Sequence, residues 1–285
     1  MHVEECCQSL LNQILPELDR KRSGFAIDIG VGTFAFYCKL FKQLRFKTVA
    51  VEPVPTDQLR QLCHHYNIQL VESCISDING FVNLHIGTFN GEKNLNLNSM
   101  RSDWWGSTST TQQVQSILLS NLLNNINAKK IACIKIDVEG LELSIIKQFL
   151  KLKTALLPKV LIFEYGGGGT RESRKGGWKL LEETIKCLEI LRSLDYRQSI
   201  LVDSTPNTKE RVFNLQSITL KPAKIFPPQS TYGNIIVLRD DQYPEHKIAS
   251  MCQSYQDNKV VPPPLQIQES LFRRTSRKFR QILYK

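Results

Sequence analysis

At 285 residues, with 41% hydrophobic and 22% charged side chains, the chain is long enough to bury a full core and has the make-up of an ordinary globular protein. No apolar run approaches the roughly 20 residues that a helical membrane span needs, so a helical membrane protein is excluded. The net charge of +10 is unevenly placed: residues 271–285 hold six Lys or Arg and no acid, which leaves about +4 for the rest and gives no sign of a nucleic-acid-binding fold.

The first residues are acidic and lack the basic-then-apolar order of a signal peptide, which predicts a cytoplasmic protein. The eight cysteines form no Cys-x-x-Cys pair and have no histidine partner at zinc-finger spacing. They are expected to be reduced and structural.

Residues 1–22 predict a lead-in helix with apolar positions at Leu10, Leu11, Ile14, Leu15 and Leu18. Pro16 should kink or end it. Residues 25–29 predict a strand that runs into Gly30 and Gly32, and residues 33–44 a helix. That order of strand, tight glycine turn and helix opens a doubly wound α/β sheet. A second strand at 48–52 stops at Pro53 and Pro55, and a helix follows at 56–66. A third strand at 69–75 ends in Ser76 and Asp77. After the Asn79-Gly80 turn signal, residues 81–86 alternate like a paired strand.

Residues 87–111 read as a long irregular loop carrying Trp104 and Trp105, and loops of that length inside a domain are usually functional or mobile. Residues 112–125 predict a helix. A fourth strand at 131–137, a helix at 140–150, a fifth strand at 159–164 and a helix at 180–194 follow. Late strands are expected at 198–202 and 235–238. The lead-in helix (1–23), a main domain (24–240) and a basic extension (241–285) with the stiff spacer Pro262-Pro-Pro264 complete the expected organisation.

Alternating strands and helices predict a mostly parallel sheet with helices on both faces, and ligands of such sheets sit at the carboxyl ends of the strands. Here those ends carry Asp28 with Gly30 and Gly32, then Glu52, Ser76 with Asp77, Asp137 with Glu139, and Glu164. Glu52 follows Asp28 by 24 positions, where an acid can bond ribose hydroxyls, a property shared by nicotinamide cofactors and S-adenosylmethionine. Asp28 separates the two: a carboxylate beside the glycine turn repels a pyrophosphate and attracts the ammonium of a sulfonium amino acid. Asp77 could accept from an adenine amino group.

These motifs resemble the FkbM family of S-adenosylmethionine-dependent methyltransferases. The matching runs are Ile27-Asp-Ile-Gly-Val-Gly32, Val51-Glu-Pro-Val-Pro55, Ile75-Ser-Asp-Ile-Asn-Gly80, Ile134-Lys-Ile-Asp-Val-Glu-Gly-Leu-Glu142 and Ile162-Phe-Glu164, across residues 24–240. The resemblance implies a Rossmann-like class I methyltransferase fold of about seven strands. It also implies O-methylation of a hydroxyl on a sugar, a glycan or a small metabolite. The chain departs from the family at its first loop, which lacks the usual asparagine and is one residue shorter.

On this reading Asp28, Gly30, Gly32, Glu52, Ser76 and Asp77 bind the cofactor. Asp137, Glu139, Glu164 and Lys135 are the catalytic candidates, because a hydroxyl acceptor benefits from a carboxylate base as its proton leaves. Trp104, Trp105 and Glu142 are candidates for the acceptor, the tryptophans either stacking on a sugar face or anchoring the loop. Arg171, Arg174 and Lys175 could meet an anionic acceptor, and no metal is expected. The alternatives are an NAD-dependent oxidoreductase, a nucleic-acid methyltransferase, which the acidic edge opposes, and a catalytically silent binding protein. The basic terminal segment could rest on an anionic membrane surface.

Overall fold

The computed structural model describes residues 1–166, 177–240 and 242–257. The chain runs α1 (Val3–Leu18), β1 (Phe25–Ile29), α2 (Phe36–Gln43), β2 (Lys47–Val51), α3 (Asp57–His65), β3 (Gln69–Val71), β4 (Cys74–Ile75), β5 (Gly80–Phe89), β6 (Glu92–Lys93), β7 (Ser107–Ile117), α4 (Leu119–Asn125) and β8 (Ile131–Ile136). It continues through α5 (Glu142–Lys147), β9 (Val160–Tyr165), α6 (Gly177–Ser193), β10 (Gln198–Asp203), β11 (Arg211–Asn214), α7 (Pro222–Ile225), β12 (Gly233–Leu238) and α8 (Glu245–Cys252).

The main sheet has the order β11-β10-β12-β9-β8-β1-β2-β3. Strands β3, β2, β1, β8 and β9 pair in parallel, β12 runs antiparallel to both β9 and β10, and β11 antiparallel to β10. The sheet therefore has eight strands rather than the seven expected. The extra one, β11, lies in the polar stretch between the two late strands. From β1 the chain winds outward through β2 to β3 and then returns to β8 on the other side of β1. That reversal opens a crevice at the carboxyl ends of β1 and β8, the place where doubly wound sheets bind ligands.

One face of the sheet is closed by α4, α5 and α6, whose Leu122, Ile145 and Leu188, with Phe149 from the 3-10 turn after α5, pack on Ile27, Ile134 and Phe163. The other is closed by α1, α2 and α8, with Leu11, Ile14, Phe41 and Ile248 against Ala26, Ala132 and Ile162. Strands buried on both faces read as near-continuous apolar runs, as β8 does in Ile-Ala-Cys-Ile. All eight cysteines are buried and none forms a disulfide.

Three expectations are corrected. Residues 87–111 are only partly an irregular loop: β5 extends to Phe89, β6 turns back on it, residues Leu95–Leu97 form a short 3-10 turn and β7 begins at Ser107, which leaves 98–106, with Trp104 and Trp105, as the irregular part. The helix expected at 112–125 is only α4. Residues Gln112 to Ile117 belong to β7, where Val114 and Ser116 are buried while Gln113 and Gln115 are exposed, a period of two that the flanking leucines mask. The strand expected at 69–75 is broken, because β4 leaves the main sheet to join a second one, β4-β7-β5-β6. That second sheet stands over the carboxyl edge.

The stretch after Asp240 does not behave as an appendage where it is described. Helix α8 seats Ile248, Met251 and Cys252 against α1, and the Cys6 and Cys252 thiols meet at 3.3 Å. The spacer 262–264 and the basic segment 271–285 lie outside the described residues. Ile248 is fully buried, so Ile248→Ala is expected to cost about 2–4 kcal/mol, the usual loss for a cavity at a buried isoleucine. Thermal or urea unfolding measures this, and a change below about 0.5 kcal/mol would show that α8 is not part of the core.

Candidate active site

A cavity of about 380 Å³ opens at the carboxyl edge over β1, β2 and β8, a size ordinary for a small-molecule site. Its floor begins with the glycine turn. Gly30 has φ +80°, and a Cβ there would lie 1.7 Å from the Asp137 carbonyl oxygen. Gly32 has φ +60°, and its Cβ would meet the Asn96 side chain at 2.5 Å. Both positions thus demand glycine by conformation and by space.

Beside the turn, β1 and β8 place Asp28 and Lys135 opposite each other in register. Lys135 Nζ lies 3.5 Å from Asp28 Oδ1 and 3.0 Å from Asp137 Oδ2, donates to the Gly30 carbonyl at 3.0 Å, and stands 5.5 Å above the Tyr37 ring. Burial works to lower the affinity of Lys135 for its proton, but Asp137, Asp28 and Glu4 outweigh it, and the pKa ends above the ordinary lysine value. Asp28 is 1% exposed. Burial raises its carboxyl above the usual carboxylate range, and Lys135 and the Cys38 thiol, 3.3 Å away, pull it back.

Glu52, at the end of β2, turns inward. Its Oε2 accepts from the Gly32 amide at 2.9 Å and its Oε1 from the Val54 amide at 3.1 Å. It lines the cavity, and each oxygen keeps a second lone pair for a ligand hydroxyl. Burial raises the Glu52 carboxyl, and the two amides act against that. Val51, Pro53, Ile75 and Leu141 add apolar walls.

At the far side the carboxylates of Asp137, Glu139 and Glu164 converge, with oxygens all within 4.8 Å of one another. Burial first, then the Asp137 charge, pushes both Glu139 and Glu164 well above the ordinary value. Oxygens at this spacing could reach a divalent cation, but the Lys135 ammonium already shares their charge.

The turn that carries Glu139 is held from outside. Glu139 adopts φ +55°. Trp104 Nε1 donates to its Oε2 at 2.5 Å, and Ser99 Oγ donates to its carbonyl at 2.7 Å. Arg101 bonds the Gly140 carbonyl at 3.3 Å and Glu183 of α6 at 2.9 Å. Glu142 accepts from the Val138 and Gly140 amides at 3.1 and 3.3 Å, which caps the turn at the start of α5. Burial lifts its carboxyl to about 7.

The sequence-predicted residues therefore divide. Asp28, Gly30, Gly32, Glu52, Lys135, Asp137, Glu139 and Glu164 line one cavity. Ser76 is buried and bonds Ser116 at 2.7 Å, and Asp77 is exposed, so neither lines it. Ser73 and Cys74 do so from the same region. Trp104 lies behind Glu139 rather than facing the cavity, Trp105 packs on Phe89 at 5.7 Å, and Glu142 serves the turn. Arg171, Arg174, Lys175 and the glycines 167–169 lie outside the described residues.

Two contributors were missed. Asn96 accepts from the Thr33 amide at 2.8 Å and the Thr33 hydroxyl at 3.0 Å, so an asparagine from the 3-10 turn between β6 and β7 stands against a first loop that lacks its own. The alternation Asn94-Leu-Asn-Leu-Asn98 was its only trace in the sequence. Glu4, from α1, also reaches the cavity wall, and nothing local marks it.

A doubly wound sheet with two reversed strands, β12 and β11, a glycine turn, an acid at the end of the second strand and a carboxylate cluster beyond it defines a Rossmann-like methyltransferase domain. The chain belongs to the FkbM methyltransferase family: the family model described as "Methyltransferase FkbM domain" matches residues 25–198. No curated protein shows significant sequence similarity to the chain. Among solved structures it is similar to the METTL16 methyltransferase domain, at 14% identity over 81% of this chain and 66% of that one, with a TM-score of 0.39. It is also similar to the plantazolicin methyltransferase BpumL (10%, 83% and 84%, TM-score 0.40) and to the O-methyltransferase TomG from Streptomyces achromogenes (9%, 85% and 92%, TM-score 0.39). The chain thus spans slightly less than two thirds of the METTL16 domain.

The raised Glu164 carboxyl fixes a pH dependence. An acid whose folded pKa lies above its unfolded value leaves the native state holding more protons, so stability falls as pH rises from about 4.3 toward the folded value. Glu164→Gln removes that cost. At pH 8 it is expected to raise the Tm by at least about 2–4 °C, the shift for about 1 kcal/mol in a domain of this size, and the gain should vanish near pH 4. Melting curves across pH check this; a gain independent of pH would refute it.

Proposed function

We propose that this chain is an S-adenosylmethionine-dependent O-methyltransferase whose acceptor is a hydroxyl of a sugar, a glycan or a small metabolite. The observation that carries this reading is the convergence of Asp137, Glu139 and Glu164 with Lys135 on the same cavity as the glycine turn and Glu52. The family match supports the class of reaction, and family relatives supply the expectation of the cofactor.

The donors present fit that cofactor. Glu52 offers carboxylate lone pairs to a ribose diol, and the turn at Gly30 and Gly32 leaves backbone uncovered by any Cβ. The apolar walls suit an adenine, and the acidic lining suits a cation. When bound, the cofactor supplies an electrophilic methyl group. The protein's part is to align an acceptor oxygen and take its proton.

Asp137 is the proposed base. It lines the cavity, and it is the member of the cluster with an ammonium at ion-pair distance. Glu164 and Glu139, held above the usual range, act as carboxyl groups that orient hydroxyls around it. Phe34 and Phe36 stack on each other at 5.2 Å on the cavity rim, 56% and 41% exposed. That apolar platform suits the C–H face of a sugar ring and takes the part first given to Trp104 and Trp105. The acidic lining disfavours polyanionic nucleic acid. Among the described residues no helix is long and apolar enough to cross a membrane, and a cytoplasmic site of action is part of the proposal. So is contact of residues 271–285 with anionic lipid; salt-sensitive vesicle binding that is lost on truncation after Pro264 tests it.

Calorimetry with S-adenosylmethionine, S-adenosylhomocysteine and NAD tests the cofactor. Binding of the first two is expected, and binding of NAD alone would overturn the reading. Glu52→Ala should weaken binding roughly 10–100-fold, the loss expected from hydrogen bonds to a charged group. In methyl-transfer assays over a panel of glycosides, Asp137→Asn should lower kcat by about 10²–10⁴, the usual contribution of a general base. Unchanged turnover would remove Asp137 from that role.

A further inference from the structure

Among the described residues the cavity is lined by six carboxylates, Glu4, Asp28, Glu52, Asp137, Glu139 and Glu164, against one cation, Lys135. That cation is already committed. It lies between Asp28 and Asp137 and donates to the Gly30 carbonyl. An acid at the end of β1 and the carbonyl beside it are acceptors that a ligand ammonium could use; here the chain's own ammonium donates to the carbonyl and neutralises the acid from 3.5 Å, although Asp28 Oδ1 itself receives no hydrogen bond.

Glu4 is differently placed. It sits in the first turn of α1, outside the family-matched residues, and is carried to the cavity wall by Cys6, Cys7, Leu10 and Leu11 packing on the sheet. Its Oε1 accepts from Asn234 Nδ2 at 2.7 Å, and Asn234 pairs in register with Glu164, so the carboxylate is held at the same edge as the catalytic cluster. The Tyr37 phenol stands beside it. Among the described residues no Lys or Arg lies within ion-pair distance of Glu4. The Lys135 charge reaches Glu4 only from beyond ion-pair distance and is shared with Asp28 and Asp137, so this partly buried carboxylate is further stabilised by a cation that a ligand brings, through a charge-assisted hydrogen bond.

We infer that Glu4 is the counter-ion of the cofactor's α-ammonium group, the part that Asp28 would take if Lys135 did not already neutralise it. The inference rests on the reading of this cavity as the S-adenosylmethionine site. It makes α1 a functional part of the enzyme rather than packing alone. Burial raises the Glu4 carboxyl above its ordinary value, which agrees with a group that gains from an incoming positive charge.

The test compares S-adenosylhomocysteine with 5′-methylthioadenosine, which keeps the adenine, ribose and thioether but lacks the amino-acid portion. Calorimetry on the full chain is expected to show Glu4→Gln weakening S-adenosylhomocysteine roughly tenfold or more, with methylthioadenosine changed less than about twofold. The glutamine keeps an oxygen for Asn234, and retained methylthioadenosine binding reports an intact cavity. A second arm needs no variant: S-adenosylhomocysteine stripped of its amino group should bind the wild type roughly tenfold more weakly than the parent ligand. Equal affinity of wild type and Glu4→Gln for S-adenosylhomocysteine, parallel weakening of both ligands, or equal wild-type affinity for the deaminated ligand would each overturn the role of Glu4 alone. A wild type that binds neither adenosine ligand would overturn the cofactor site, and Glu4 with it.

Discussion

One buried ammonium holds this site together. Lys135 ties β1 to β8 through Asp28, closes on Asp137, and fixes the glycine turn through the Gly30 carbonyl, all within 3.5 Å. The parallel register that sets Asp28 beside Lys135 makes the pair a consequence of strand alignment rather than of loop geometry. Removing the lysine would leave the buried Asp28 carboxylate without a cation and beside the half-buried Asp137, which costs far more than an exposed ion pair is worth. The turn at Gly30, the orientation of Asp137 and the fate of Asp28 all follow from that one side chain.

Around it the domain tolerates an unfavourable arrangement. Glu139 and Glu164 are pushed well above the ordinary carboxylate range by burial and by Asp137, and Glu142 is lifted to about 7 by burial. No core requirement calls for three such groups on the turn after β8, the start of α5 and the end of β9. The connection between β6 and β7 of the second sheet supplies what keeps them in place: Ser99, Arg101 and Trp104 bind the 139–140 turn, and Asn96 binds the glycine loop. An excursion that resembles a loop in composition is the clamp on the site. Functional sites often carry such local costs and depend on surrounding packing to bear them.

Much of the floor was legible because strand ends are local features. Asp28, Glu52, Asp137 and Glu164 each end a short apolar run, and each lines the cavity. Ser76 and Asp77 end such a run too, yet the chain leaves the main sheet at β4 and carries them away from the cavity. Trp104 and Glu142 looked like acceptor contacts because of their chemistry, and they serve the turn because of where the second sheet lies. Residues 112–117 read as helix because leucines follow closely, whereas pairing with β5 makes them strand.

The sequence by itself determined the winding of the sheet, the glycine turn and the acids at its carboxyl edge, because period, turn chemistry and strand length are all local. Only the tertiary structure decided how those acids share one lysine, which of them remain open to a ligand, and that Asn96 and Glu4 join them. Those outcomes depend on contacts between residues 63 to 230 positions apart in the chain. Local periodicity carries no record of such distances, and it is the packing of α1 and of the second sheet onto the carboxyl edge that brings them within hydrogen-bond reach.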